Sequence, residues 1–230
     1  SWEWGDFKAR LGIRVRRFVI TDKGSWVAVL SLEMHNLPFG FEYGYAPRGP
    51  VVSLAALENQ NYADKIFRYL ENYVQSNFRS VFLRLEPPIH EYQPVFFKKP
   101  FSLPKYYIQP LANLAVDLTG DENSIFSNFS RDMRHDLRLA ERKEIKAELK
   151  AGFTEDEFKI FLDMQNDTAK RAGKSIYPSK SYYQYLLNEF TPVLNNLDSA
   201  KPAFGIFFAY NEGQPVAANL VIFFARTATY

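Results

Sequence analysis

The sequence predicts an α/β protein built from two successive units. Three observations carry that prediction. Residues 13–20 and 26–34 are strand-like runs about the turn Asp22-Lys23-Gly24-Ser25, the pattern of a hairpin. Residues 62–73 place Ile66, Tyr69, Leu70 and Tyr73 at helical spacing, and lead to a strand over 80–86 that stops at Pro87-Pro88. After residue 118, helices and strands alternate again and close on two apolar strands, 204–210 and 216–224, about the turn Asn211-Glu212-Gly213-Gln214.

The remaining elements fall between these. Residues 1–11 read as a short helix with Trp2, Trp4 and Phe7 as its sticky face. The stretch 39–50 is a strand interrupted by Gly, Pro and Tyr turns. Residues 91–110 carry many prolines and aromatics without a period. Residues 114–118 read as a strand, and Thr119-Gly120-Asp121-Glu122 as a capping box opening a helix. Ser130 is placed to cap a second helical segment. A short strand is expected at 147–149. A helix over 153–172 has Phe158, Phe161 and Leu162 inward and ends at Gly173, and another helix covers 179–190. The seam near 108–118 divides the chain into domains 1–112 and 113–230. The second reads as incomplete, because the chain stops directly after a strong hydrophobic strand.

Composition narrows the chemistry. The 230 residues are 47% hydrophobic with 21 Phe and 14 Tyr, so a packed core is expected and disorder is not. A net charge of +2 does not describe a protein that coats nucleic acid. There are no cysteines, which excludes disulfides, thiolate metal sites and cysteine nucleophiles. The three histidines, His35, His90 and His135, have no metal-ligand spacing. No apolar run is long enough to cross a bilayer. A cytoplasmic setting is the expectation.

Basic character is local. On a helix through 131–142, Arg131, Arg134, His135, Arg138 and Arg142 fall within an arc of about 100°. Met133, Leu137 and Ala140 fall opposite and are expected to pack. Arg134/Arg138 and Arg138/Arg142 are like-charged at i,i+4, which disfavours the helix by a few tenths of a kcal/mol per pair. A row of arginines kept at that cost suits an anion, because guanidinium binds phosphate bidentately. The alternative is a solvated face.

Alternation puts Arg84 and Glu86 on one face at a strand end. They read either as a salt-bridged pair or as a ligand-facing group with Glu86 as general base. Tyr45-Ala46-Pro47-Arg48-Gly49-Pro50 is a rigid turn presenting one arginine. No Walker loop, Gly-x-Gly-x-x-Gly or Gly-x-Ser-x-Gly is present. The Arg/Gln-x-x-Gly-x-Gly/Ala loop that cradles coenzyme A is absent as well. Catalysis by positioning is left to carry most of any reaction.

Seven blocks, in order along the chain, resemble the Fem-type aminoacyltransferases that build peptidoglycan interpeptide bridges. They are Ser1-Trp-Glu-Trp-Gly-Asp-Phe-Lys8, Tyr45-Ala-Pro-Arg-Gly-Pro-Val51, Leu83-Arg-Leu-Glu-Pro87, Arg138-Leu-Ala-Glu-Arg-Lys143, Thr168-Ala-Lys-Arg-Ala-Gly173, Ser181-Tyr-Tyr183 with Leu186, and 218–230. The resemblance implies tandem domains like those of GCN5-related N-acetyltransferases, the second lacking its C-terminal part. It implies transfer of an amino acid from aminoacyl-tRNA to the stem-peptide amine of lipid II or its UDP-linked forerunner. No cofactor, coenzyme A or metal is implied, and peripheral contact with the inner face of the plasma membrane would come through lipid II.

By position, Lys8 matches a lysine that contacts the precursor diphosphate, and Tyr182 a tyrosine of the same cleft. Glu86 matches an acidic residue considered as a base. Arg48, Arg84 and Lys180 join the substrate-binding set; a family arginine falls on Pro178, and Lys174 or Lys180 is its expected substitute. Arg131, Arg134, Arg138 and Arg142 are assigned to tRNA by their charge, not by the resemblance. The family's later strands would lie past Tyr230, so these 230 residues alone are expected to be inactive. Two alternatives remain, a non-catalytic module for anionic glycan-lipid or tRNA, and an acyltransferase with another donor.

Overall fold

The computed structural model describes residues 2–88, 102, 104–106, 108–110, 113–151, 153–173, 178–192 and 201–230. The chain divides into two compact units, one of Trp4–Asn113 and the other of Leu114–Tyr230 with Ser1–Glu3 counted to it. Each is mixed α/β with one five-stranded sheet.

The first unit takes in α1 (Trp2–Arg10) from Trp4 onward and the hairpin of β1 (Arg14–Asp22) and β2 (Ser25–Asn36). Asp22 pairs with Ser25, while Lys23 and Gly24 take φ of 47° and 82°, the left-handed pair that a two-residue hairpin turn needs. There follow β3 (Glu42–Ala46), β4 (Val51–Val52), α2 (Leu54–Glu58), α3 (Gln60–Asn77) and β5 (Ser80–Leu85). The sheet order is β1-β2-β3-β5, with β4 on β2. β3 and β5 are parallel, so α3 serves as a crossover between them.

One face of this sheet is apolar. Leu30, Leu32, Met34 and Ala46 are buried against Leu70 and Val74 of α3, with Leu83 and Leu85 packed alongside. Of the four helical-spacing residues in α3, Ile66 and Leu70 enter the core, whereas Tyr69 and Tyr73 are exposed. Gly44 sits where a Cβ would come within 2.9 Å of Leu83 Cδ1, so the close approach of β3 to its neighbours needs glycine there.

The second unit holds α4 (Glu122–Asn128), α5 (Arg131–Arg142), β6 (Lys146–Lys150), α6 (Glu155–Arg171), α7 (Lys180–Glu189), β7 (Thr191–Pro192), β8 (Ala203–Asn211), β9 (Gln214–Phe224) and β10 (Thr227–Thr229). Its sheet runs β10-β9-β8-β6, with β7 on β8. The core is Phe158 and Phe161 of α6 and Tyr183 of α7 against Ile206 and Phe208. Thr154 and Glu157 form a reciprocal capping box at the start of α6.

Three expectations are corrected. Residues 114–118 are not a strand: Leu114 and Leu118 are 93% and 67% exposed, and no described strand pairs with them. Apolar alternation suggested a strand, but without a ladder partner its backbone groups stay with water. The cap of α4 is Asp121, which accepts from the Ser124 amide; Thr119 instead closes a turn on Asp117. Finally, α2, β4, β7 and β10 were not anticipated, being too short to show a period. Much of 91–110 lies outside the described residues.

Candidate functional site

The other face of the first unit's sheet is polar and aromatic, and the register explains why. Glu33 lies opposite Tyr45, and Tyr45 opposite Arg84. His35 lies opposite Tyr43, and Tyr43 opposite Phe82. Directly opposed residues share a face, and residues two apart share it too. Two cross-strand rows therefore stand side by side on the surface away from α3.

The outer row is a stack. The His35 and Tyr43 rings are 4.9 Å apart and 15° from parallel; Tyr43 and Phe82 are 4.9 Å apart and 14° from parallel. Phe82 is 51% exposed. In the inner row, Glu33 is the one buried charged residue among those described. Its Oε2 lies 3.8 Å from Lys8 Nζ and 3.4 Å from His35 Nε2. A carboxylate taken out of water needs such compensation. Lys8 reaches it from α1, with its ammonium also 5.5 Å from the Trp4 ring centroid. The α1 helix is tied to the same face by Arg17, whose guanidinium lies 2.6 Å from Asp6.

Beyond the carboxyl ends of the parallel pair β3 and β5 sits Glu86. Its Oε1 accepts from Arg84 Nε (3.0 Å), Arg84 Nη2 (2.7 Å) and the Ile108 amide (3.2 Å). Its Oε2 accepts from the Tyr45 hydroxyl (2.7 Å) and the Gln109 amide (3.2 Å). Arg84 also donates to the Tyr106 carbonyl. The Glu86 amide donates to the carbonyls of Ala46 and Gly49, which hooks the Arg48 turn onto the strand end. Arg48 is exposed at φ 52°, a left-handed conformation that a side-chain-bearing residue rarely adopts.

This geometry, with five donors on one carboxylate, favours the paired reading of Arg84 and Glu86. Burial pushes its carboxyl up, but the bonds from Tyr45, Arg84 and Ile108 outweigh that and hold it below its ordinary value of 4.5. A carboxylate so fully occupied is a poor proton acceptor at neutral pH. Glu86 is an anchor that holds Tyr45, Arg84 and the backbone of Ile108 and Gln109.

Tyr45 is shifted the other way. Burial, then its bond to Glu86, raises it to about 12 from 10.0. The two shifts give stability opposite pH limits. The Glu86 contribution is present above 4.5 and lost as pH falls below it; the Tyr45 contribution is present below 10.0 and lost as pH rises from there through about 12. Tyr45→Phe should therefore be less stable than wild type at neutral pH but converge with it between pH 10.0 and 12, as read from urea midpoints. An unchanged gap across that range would contradict the assignment.

The second unit carries the other predicted residues. Ser130 caps α5 as expected. The arginine row is only partly free. Arg134 donates to the carbonyls of Ser127 and Phe129, closing the end of α4, and Arg138 lies 5.2 Å from the Phe126 ring centroid. Arg131 and Arg142 are exposed with no partner among the described residues. The apolar side of α5 is not packed, since Met133 is 50% and Leu137 36% exposed, against expectation. Lys180 is the exposed first residue of α7; Tyr182 is half-buried and meets Tyr183 edge-on at 5.7 Å. A cleft of about 700 Å³ lies in this unit, lined by Gln165, Tyr183, Phe208, Ala218 and Leu220. Its lining is mostly apolar.

The structure thus joins Lys8, Arg84, Glu86 and the Arg48 turn on one unit, and places Tyr182, Lys180 and the arginines on the other. Sequence reading missed Glu33, His35 and Tyr45 as site residues. The signal was there: Glu33 and His35 are two apart on an apolar strand, so one face carries a carboxylate and an imidazole.

Residues 1–102 match the FemAB family. That bears out the Fem-type resemblance, and the matched segment contains Lys8, Glu33, His35, Tyr45, Arg48, Arg84 and Glu86. The fold is similar to the crystal structure of FemX, with a TM-score of 0.66 at 18% identity, over 90% of this chain and 51% of FemX. The chain therefore spans about half the length of that relative. No curated protein matches the sequence. At that identity the likeness to FemX establishes the mixed α/β fold. Among the described residues, none groups with metal-ligand geometry, and no helix is long and apolar enough to cross a membrane.

Proposed function

We propose that the protein of which this chain is part transfers an amino acid from aminoacyl-tRNA to the stem-peptide amine of a peptidoglycan precursor, lipid II or its UDP-linked forerunner. The observation that carries the reading is the FemAB match over 1–102, which falls on the segment bearing the polar sheet face. FemAB-type similarity supports peptidoglycan-bridge aminoacyl transfer in general; the donor and acceptor named here are our assignment.

The reaction suits the residues present. An aminoacyl ester is already activated, so holding amine and ester together supplies much of the acceleration. Lys8 and Arg48 are the cations for the precursor's diphosphate, and Arg84, fixed by Glu86, shapes the strand end beside them. Donor tRNA is assigned to the arginine helix, where Arg131 and Arg142 are the uncommitted cations. Neither coenzyme A nor a metal enters this scheme. The site of action is the cytoplasmic side of the membrane, reached through lipid II.

The test is label transfer by the full-length protein from radiolabelled aminoacyl-tRNA to lipid II. Label in the lipid fraction supports the reading. Binding of both substrates without transfer would make the protein a non-catalytic module, and transfer only from another activated ester would change the donor. In parallel, Arg131→Glu with Arg142→Glu should weaken tRNA binding and flatten its salt dependence by about two units of slope. Unchanged affinity would return the row to a solvated face.

A further inference from the structure

Aminolysis needs a proton acceptor, because the attacking amine must lose a proton as the C–N bond forms. Glu86 is taken up as an anchor. On the same sheet face, His35 meets the requirements of a base, and it is assigned no part in the binding scheme above. Its Nε2 is fully buried and lies 3.4 Å from Glu33 Oε2, yet has no hydrogen-bond partner in this geometry. The side chain as a whole is 26% exposed, so the accessible part of the ring lies away from Nε2. Its plane is fixed by the Tyr43 stack. A buried carboxylate beside one ring nitrogen holds that side of the imidazole toward the acid and leaves the other nitrogen for chemistry.

We propose that His35 is the proton acceptor of the transfer, oriented by Glu33 and seated by Tyr43; this rests on the aminoacyl-transfer reading above. The acceptor amine attacks the ester carbonyl carbon, the C–N bond forms, and the ammonium proton passes to His35. As the tetrahedral intermediate collapses, the C–O bond to the tRNA ribose breaks and His35 returns that proton to the departing ribose oxygen. Protons balance, and no oxidant or further co-reactant enters.

Lys8 shares the same Glu33 oxygen. A diphosphate that draws the ammonium away leaves Glu33 to His35 alone. Acceptor binding and the seating of His35 are coupled by that shared contact.

The experiment uses the full-length protein with saturating aminoacyl-tRNA and varied lipid II. His35→Phe retains a ring for the Tyr43 stack and removes both nitrogens. It should lower kcat by about 10²–10⁴-fold while KM for lipid II stays within about threefold. His35→Ala should lose similarly and recover in part with free imidazole. Glu33→Gln should lower kcat by about tenfold or more, as a positioning residue would. A His35→Phe rate within about threefold of wild type overturns the proposal, as does a loss confined to KM or the absence of imidazole rescue in a folded His35→Ala. If the wild-type protein itself transfers nothing, the aminoacyl-transfer reading fails first, and that outcome is distinct from a failure at His35.

Discussion

Glu86→Ala should destabilise the first unit by about 3–5 kcal/mol, seen as a large fall in the urea midpoint at neutral pH. The size follows from what the carboxylate holds. The Glu86 side chain is 9% exposed and that of Arg84 is 19% exposed, with Nη2 2.7 Å from Oε1. Removing the acid strands the guanidinium and leaves the Tyr45 hydroxyl and the Ile108 and Gln109 amides to find other acceptors. An unpaired, mostly buried charge costs more than the pair itself contributes. Arg84→Ala should cost less than Glu86→Ala, because three of the five donors to Glu86 remain. The double variant should show strong coupling between the two. A loss under about 1 kcal/mol for Glu86→Ala would mean an ordinary surface pair.

Lys8→Gln should raise KM for the lipid-linked precursor by about 10–100-fold in the full-length protein, with a smaller fall in kcat. A charge-assisted hydrogen bond contributes about 1.5–3 kcal/mol, and each 1.4 kcal/mol is tenfold. The substitution has a structural cost too, because Glu33 is buried and loses its one ammonium partner among the described residues, at 3.8 Å. Thermal melts separate the two effects. A folded Lys8→Gln protein with an unchanged KM would remove Lys8 from the acceptor site and leave it as the counter-ion of Glu33.

Much of the fold was legible because its signals are local. The 22–25 hairpin, the cap at Ser130 and the stop at Gly173 depend on residues within a few positions of one another. The errors came where tertiary partners decide. Residues 114–118 alternate like a strand but join no ladder among the described residues. The arginines of α5 looked like one free row, yet Arg134 and Arg138 serve α4, which only their folded neighbours reveal.

The site divides in the same way. Lys8, Arg48, Arg84 and Glu86 stood out as charged residues in turns and at strand ends. What Glu86 does could not be read from Arg84-Leu-Glu86, because Tyr45 and Gln109 are 41 and 23 residues away. The sharing of Glu33 between Lys8 and His35 depends on α1 lying on the sheet face. Only the two-residue spacing of Glu33 and His35 was visible beforehand.

The central claim is that the polar sheet face of the first unit binds the anionic precursor. Titration calorimetry of the soluble UDP-linked muropeptide into the full-length protein, wild type against Lys8→Gln, tests it most directly. The account predicts a Kd about 10–100-fold weaker for Lys8→Gln, with a shallower salt dependence. Equal affinity and equal salt dependence in two well-folded proteins would contradict it.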